Sequence, residues 1–313
     1  MPTVIRVSYG TAIVLGLVKA RQDVAPTTAY LLHDQGCIGS CTFCSRANGN
    51  VQSQNLSRII WPEFELETVI NRLCEKPARF NRICLQTGFN PDPEAERELS
   101  NLVKKLIATG ISTSMTLTPS QSELAMELLW QGLDHVGIGL DAATSQTYSL
   151  HKQRNWDKDW PKLLDLISHA RGKIEIHLIY GLGDTEEDFA ERIQQLIDSG
   201  GRVSLFAFTP VNGGTEPGIN SYRRVQAFRY LCENKKISFS SCRFEKGKLV
   251  SFNIPKSQLE KMLDDGNAFR TSGCDSCNRP YYNEKPGKPF FNFPRPLFKP
   301  EFQKAIEELD LYF

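Results

Sequence analysis

From about residue 27 to 210 the chain alternates short, β-branched apolar runs with longer amphipathic stretches. The runs TAYLLH (28–33), RICLQT (82–87), STSMTLT (112–118), HVGIGLD (135–141), KIEIHLIYG (173–181) and RVSLFAFTP (202–210) predict six strands. Between them WPEFELETVINRLCE (61–75), PEAERELSNLVKKLIATG (93–110), PSQSELAMELLWQG (119–132) and TEEDFAERIQQLIDSG (185–200) predict helices, several ending in a glycine where a helix C-cap would fall. Strand and helix alternating at this spacing mean parallel βαβ units with right-handed crossovers, hence an α/β fold.

Ligands in such folds gather at the C-terminal ends of the strands. The unusual residues lie there: DQGCIGSCTFCSRANG (34–49), TGFNPDP (87–93), Asp141, GLGDTEED (181–188) and TPVNGGTEP (209–217). An open or closed barrel with its active site at one rim accounts for this distribution.

Beyond residue 218 the pattern changes. A helix, SYRRVQAFRYLCENK (221–235), leads to a hairpin, FSSCRFEKGKLVSF (239–252), and then to a tail dense in Pro, Gly and aromatics (270–300) that wraps over something rather than building its own core. PEFQKAIEELDLYF (300–313) predicts a closing helix, and TAIVLGLVKA (11–20) a short helix packed on the body. The chain thus divides into an N-terminal helical segment (1–26), a barrel (27–218) and a C-terminal extension (219–313).

A chain of 313 residues with 40% hydrophobic content can bury a full core. The apolar run near the N-terminus is too short for the roughly 20 residues that span a bilayer, and it lacks the basic leader and cleavage site of a signal peptide. No membrane role is expected. With a net charge of +1 and basic residues interspersed among acidic ones, the footprint of a nucleic-acid binder is missing too. Nine cysteines, an odd number spread along the chain, argue for reduced thiols and a cytoplasmic protein.

Cys37, Cys41 and Cys44 form a C-x3-C-x2-C pattern flanked by Gly36 and Gly39. Three thiols so close can ligate three irons of a cubane cluster, leaving the fourth iron open to a substrate or cofactor. A structural zinc site, which wants four closed ligands, and unligated core cysteines are the competing readings.

With Phe43 in the aromatic place next to Cys44, this stretch resembles the radical S-adenosylmethionine (SAM) superfamily. The resemblance covers roughly residues 27 to 215 and implies a partial (β/α)6 barrel with a loop-rich C-terminal extension. It further implies a [4Fe-4S] cluster whose open iron is chelated by SAM, and reductive cleavage to a 5'-deoxyadenosyl radical that abstracts hydrogen from an unactivated C–H bond. LQTGF resembles the edge that receives the methionine amino group, implicating Gln86, Thr87 and Gly88, although it departs from the usual double-glycine-plus-acid form. GIGLD resembles the fourth strand of the biotin synthase-like branch, with Asp141 facing ribose or substrate; HLIYGLGDTEED resembles the adenine-packing strand, with Ile179 and Gly181 nearest the ring.

Cys274 and Cys277 form a second, C-x2-C pair that can hold two corners of a metal site, with Cys242 a possible third. A redox disulfide or a zinc half-site are the alternatives. In sulfur-inserting radical enzymes an auxiliary cluster sits across the barrel mouth and is consumed, and an oxygen ligand from Ser272 or Thr271 would suit such a sacrificial second [4Fe-4S] cluster. Cys74, Cys84 and Cys232 are read as buried free thiols. The start RVSYGTAIVLGL, the barrel and GCDSCNRPYYNEKPG together resemble the two-protein lipoyl synthases. That resemblance implies an octanoylated lipoyl carrier domain as substrate, a second related radical SAM protein as partner, and a ferredoxin or flavodoxin as electron donor. A radical enzyme whose second cluster only conducts electrons, and a zinc-stabilised binding module, remain the other readings. His33 and Asp34 either orient the cysteine loop or are solvated, His151 and Arg154 are expected at the surface, and Tyr281 and Tyr282 are expected to pack the tail on the barrel.

Overall fold

The computed structural model describes residues 3–33, 36–47, 55–75, 77–211, 213–285 and 287–312. The chain opens with strand β1 (Val4–Val7) and helix α1 (Tyr9–Val14), then enters β2 (Thr28–His33). After the cysteine loop come the small hairpin β3 (Asn55–Leu56) and β4 (Ile59–Ile60), then β5 (Glu63–Glu65) and α2 (Leu66–Glu75). The barrel continues through β6 (Arg82–Thr87), α3 (Pro93–Ile107), β7 (Thr113–Leu117), α4 (Ser122–Trp130) and β8 (His135–Asp141). A single turn, α5 (Ser145–Thr147), precedes α6 (Trp156–Ala170), β9 (Ile174–Tyr180), α7 (Glu186–Asp198) and β10 (Arg202–Ala207). The extension holds α8 (Ile219–Glu233), the hairpin β11 (Arg243–Glu245) and β12 (Lys248–Ser251), α9 (Lys256–Met262) and α10 (Lys299–Glu307).

One eight-stranded sheet runs in the order β10-β9-β8-β7-β6-β2-β1-β5. The six strands expected from the pattern are its parallel part, β2 and β6 to β10, paired in chain order. Two expectations change. The N-terminal segment begins with a strand, β1, laid antiparallel on β2, and residues 63–65, expected in a helix, instead pair with β1.

Period-two alternation separates the faces of the sheet. In β2, Ala29 and Leu31 join the large core under the helices, while Tyr30 and Leu32 pack inside the barrel against Trp61. In β9, Ile174, Ile176 and Leu178 face the helices, which leaves Glu175, His177 and Ile179 on the inner face. The helices begin on polar caps: the Asp92 carboxylate accepts the amides of Glu94 and Ala95 at the start of α3, and Thr185 and Asp188 form a capping box on α7.

The tail is part of the barrel wall. On one side it satisfies the free edge of β10, where the Leu205 amide donates to Ser272 Oγ at 2.9 Å and Asn283 Nδ2 donates to the Ala207 carbonyl at 2.8 Å. On the other side the Thr27 amide donates to Asn278 Oδ1 at 3.0 Å, Asn278 Nδ2 donates to the Ala25 carbonyl at 2.9 Å, and Ser57 Oγ donates to the Tyr282 carbonyl at 2.7 Å. Irregular chain therefore bridges β10 to the segment leading into β2. Among the described residues no helix is long and apolar enough to cross a membrane.

Candidate active site

Cys37, Cys41 and Cys44 line a cavity of about 230 Å³ at the C-terminal ends of the strands, together with Phe43, Gln86, Thr87, Gly88, Asp141 and Ile179. The cysteine loop is shaped from beneath by Gly88. A Cβ there would stand 2.8 Å from Cys37 Cβ and 3.1 Å from its Cα, so no larger residue fits without moving the loop. Backbone amides already point at sulfur: Phe89 donates to Cys37 Sγ at 3.3 Å and Arg46 to Cys44 Sγ at 3.4 Å. A Cβ on Gly39 would lie 3.3 Å from Cys37 Sγ and 4.0 Å from Cys41 Sγ, so these two thiols converge on the space that glycine leaves open. Burial pushes the Cys41 thiol up to about 11 and raises Cys44 as well. Among the described residues no three His, Cys, Asp or Glu side chains are yet drawn into the geometry of a bound metal ion. Three soft donors on one cavity, with amides aimed at two of them, nonetheless suit an iron–sulfur cluster.

Other expected contacts resolve individually. The Thr87 hydroxyl donates to the Thr116 carbonyl at 2.6 Å. The amide of Gln86 turns inward, donating to Cys84 Sγ at 3.0 Å. Gly181, at φ +113°, lies outside this lining; a Cβ there would meet Phe208 and Pro217 at 3.1 Å. Asp141 sits past a register shift in β8 with φ +69°, an uncommon conformation that costs of order 1–3 kcal/mol and turns its carboxylate into the cavity. There it is ion-paired with Lys152, whose ammonium also donates to the Gly139 carbonyl.

Lys152 was not foreseen; it closes a π-helical turn, Tyr148–Lys152, that no periodicity announces. Arg154, expected at the surface, instead lines the cavity, donating to Thr118 and Ser120 hydroxyls at 3.1 and 2.8 Å and stacking 3.7 Å over the Phe89 ring. His151 buttresses the cysteine loop, its carbonyl accepting the Thr42 amide at 2.9 Å and its ring hydrogen-bonded to the Thr42 hydroxyl at 2.8 Å. His33 is buried at the end of β2, while Asp34 lies outside the described residues.

The second cysteine pair does not cross the barrel mouth. Cys274 and Cys277 line a smaller inner cavity, of about 40 Å³, with Thr28, Arg82, Ser114 and Ser204 from the N-terminal halves of the strands. The third thiol there is Cys84, read as an isolated buried cysteine, whereas Cys242 lies elsewhere, beside Ser238 and Ser241. Burial raises Cys84 to about 11, with Cys277 adding to it, and raises Cys274 too, with Glu175, Cys84 and Cys277 adding to it. Cys242, in contrast, stands near Cys232, whose thiol burial pushes up to about 12 with Asp198 and Cys242 adding to the shift. Ser272 and Thr271 are held by backbone bonds, to the Leu205 amide and the Asn278 carbonyl. Cys232 is buried as expected, but Cys74 is exposed.

Arg279 is half-buried beside Cys277, donating to the Ser272 carbonyl at 2.7 Å and stacking 3.8 Å over Phe206. Tyr282 packs on Phe206, as expected of a tail anchor; Tyr281 is half-buried at the edge, bonded to Asp23. Gln86, His177, Phe206 and Tyr282 line both cavities, so one partition of four side chains separates the two cysteine sites.

Residues 31–196, just over half of the chain, match the model of the Radical SAM superfamily. The chain belongs to the radical SAM superfamily. Its curated relatives include the biotin synthases of Brucella anthropi, 27% identical over 52% of this chain and 46% of the relative, and of Shewanella oneidensis, 27% identical over 51% and 45%. This radical SAM chain therefore spans about half the length of those relatives. Among solved structures the fold is shared with HydG, a maturase of the [FeFe]-hydrogenase, at a TM-score of 0.53 and 13% identity over 67% of this chain and 51% of that one. Methylornithine synthase (PylB) gives a TM-score of 0.50 at 14% identity over 67% and 62%. The family implies a [4Fe-4S] cluster and SAM, which the cavity holding Cys37, Cys41 and Cys44 fits.

Proposed function

We propose that this radical SAM enzyme inserts sulfur into unactivated C–H bonds, with a protein-bound octanoyl chain as substrate, as one component of a lipoyl synthase. The observation that carries the reading is the second chamber, where Cys84, Cys274 and Cys277 meet behind a four-residue partition from the first cysteine site. Bound there, an iron–sulfur group would supply the sulfur, and SAM at the first cluster the radical. Similarity to biotin synthases supports sulfur chemistry of this kind.

The chain's own residues supply the setting. Cys37, Cys41 and Cys44 hold the first cluster; Asp141, neutralised by Lys152, faces the same cavity; Ile179 and Phe206 give the chamber apolar walls that exclude water. Cys84, Cys274 and Cys277 hold the second group, and Arg279 offsets the negative charge that three thiolates bring.

Iron and acid-labile sulfide per chain after anaerobic reconstitution test this. About eight irons in the wild type and about four in Cys274→Ala/Cys277→Ala support two clusters. Turnover with an octanoyl-lysine peptide should then deplete sulfide. About four irons in both proteins, or full retention of sulfide after product forms, would overturn sulfur insertion.

A further inference from the structure

A further cavity, of about 640 Å³, lies where the segment before β2, the residues around β4 and the tail meet. That volume falls in the range that small ligands occupy. The cysteine loop gives it no wall, and Tyr282 is the one described residue that lines both this cavity and the one holding Cys37, Cys41 and Cys44. Its surface is mostly apolar: Ile13, Val24, Ile59, Trp61, Pro280 and Phe290 supply aliphatic and aromatic faces from three separate stretches of chain. Trp61 is the most deeply buried of these, at 1% exposure.

The charges in this cavity are nearly all of one sign. Arg21, Arg279, Lys285 and Lys288 line it against a single carboxylate, Asp23. That carboxylate already accepts the Tyr281 hydroxyl at 3.3 Å, and Lys285 is paired with Glu216 at 3.2 Å. The side chains of Arg21 and Lys288 are exposed and make no hydrogen bond or ion pair with any described residue. An apolar cleft with a surplus of cations favours a ligand that has an apolar body and an anionic end. The rings of Tyr281 and Phe290 stand 6.1 Å apart and are tilted by 45°, so they make no parallel slot for a flat ring, whereas an alkyl chain follows such an irregular wall.

We propose that this cavity is a binding site for an anionic amphiphile, its alkyl chain lying against Ile13, Trp61 and Phe290 and its anionic head at the rim that carries Arg21 and Lys288. The site goes beyond the sulfur-insertion reading and depends neither on it nor on the inner thiols.

The probe is 11-bromoundecanoate, kept below its micelle concentration and titrated into the full chain. Binding is followed by calorimetry and by tryptophan fluorescence, which bromine quenches on contact. One carboxylate per chain should bind, with quenching that disappears in Trp61→Phe while the calorimetric binding remains, because Trp130, Trp156 and Trp160, on α4 and α6, do not line the cavity. Arg21→Ser/Lys288→Ser should weaken the carboxylate about tenfold. The uncharged 11-bromoundecanol should bind wild type and double variant alike, and Ile13→Trp, which fills the cleft, should abolish binding of both probes. Equal affinity for acid and alcohol in the wild type, or no binding of either, overturns the proposal. An affinity that falls in Arg154→Ala but not in the double variant also overturns it, since the chain then sits in the cysteine-loop cavity. If Trp61→Phe fails to fold, the two exposed rim substitutions decide in its place: an unchanged carboxylate affinity in Arg21→Ser/Lys288→Ser overturns the site, and the tenfold loss supports it.

Discussion

The phenolic oxygen of Tyr30 lies 3.4 Å from the Cys277 thiol and accepts the Arg279 backbone amide at 2.8 Å, so a side chain from the first parallel strand fastens the tail that carries the second cysteine pair. Burial, reinforced by Cys277, raises the phenol well above its ordinary range and keeps it neutral. Tyr30→Phe leaves the buried amide of Arg279 without its acceptor. The expected loss is about 1–3 kcal/mol in urea unfolding, with the first cluster loading normally; a loss near zero would mean the tail is held by its other bonds alone.

Cys84→Ala and Cys242→Ala separate the two possible third ligands. Iron and sulfide should fall by one cluster's worth in Cys84→Ala and stay at the wild-type level in Cys242→Ala. The reverse outcome would require the tail to dock against the hairpin at Cys242 rather than inside the barrel.

Lys152→Met strands the Asp141 carboxylate, whose side chain is only 14% exposed. Breaking a buried pair in this way costs about 3–5 kcal/mol, to be read as a lowered urea midpoint. Adding Asp141→Asn should restore a good part of it, because the uncompensated charge is gone. Stability that does not respond to the second change would assign the loss to packing of the lysine stem.

Cluster loading should strengthen as pH rises. Burial sets the Cys41 and Cys84 thiols at about 11 and raises Cys44 and Cys274 above the ordinary thiol range, so all four hold their protons at neutral pH. Each ligation expels one of those protons, and apparent iron affinity must therefore increase from pH 6.5 to pH 8.5. A flat profile in anaerobic titrations with ferrous iron and sulfide would show that the thiols ionise before metal arrives.

The parallel strands were legible because each is a self-contained apolar run: β2, β6 and β8 begin and end at the residues the pattern marks. Val4–Val7 and Glu63–Glu65 were not, since strands of four and three residues carry too few alternations to outweigh the helical pattern beside them. Cys37, Cys41 and Cys44 were legible because their spacing is local. Cys84 was not, because its meaning depends on Cys277, brought to it by the tail, and on the inward face of β6. His177 and Lys152 were hidden likewise: one depends on the space above Gly137, the other on a π-helical turn.

The bridge from β10 to the segment before β2 is made of chain that follows both strands in the sequence. Until residues 271–283 settle, the barrel has a slot along one side, and the inner chamber holds only one of its three sulfurs. Closing the wall and completing the donor set are thus a single event. A metal offered to the inner chamber before that event would find Cys84 alone, and one offered after it would meet a closed flank, so any loading of this chamber is tied to the docking of the tail.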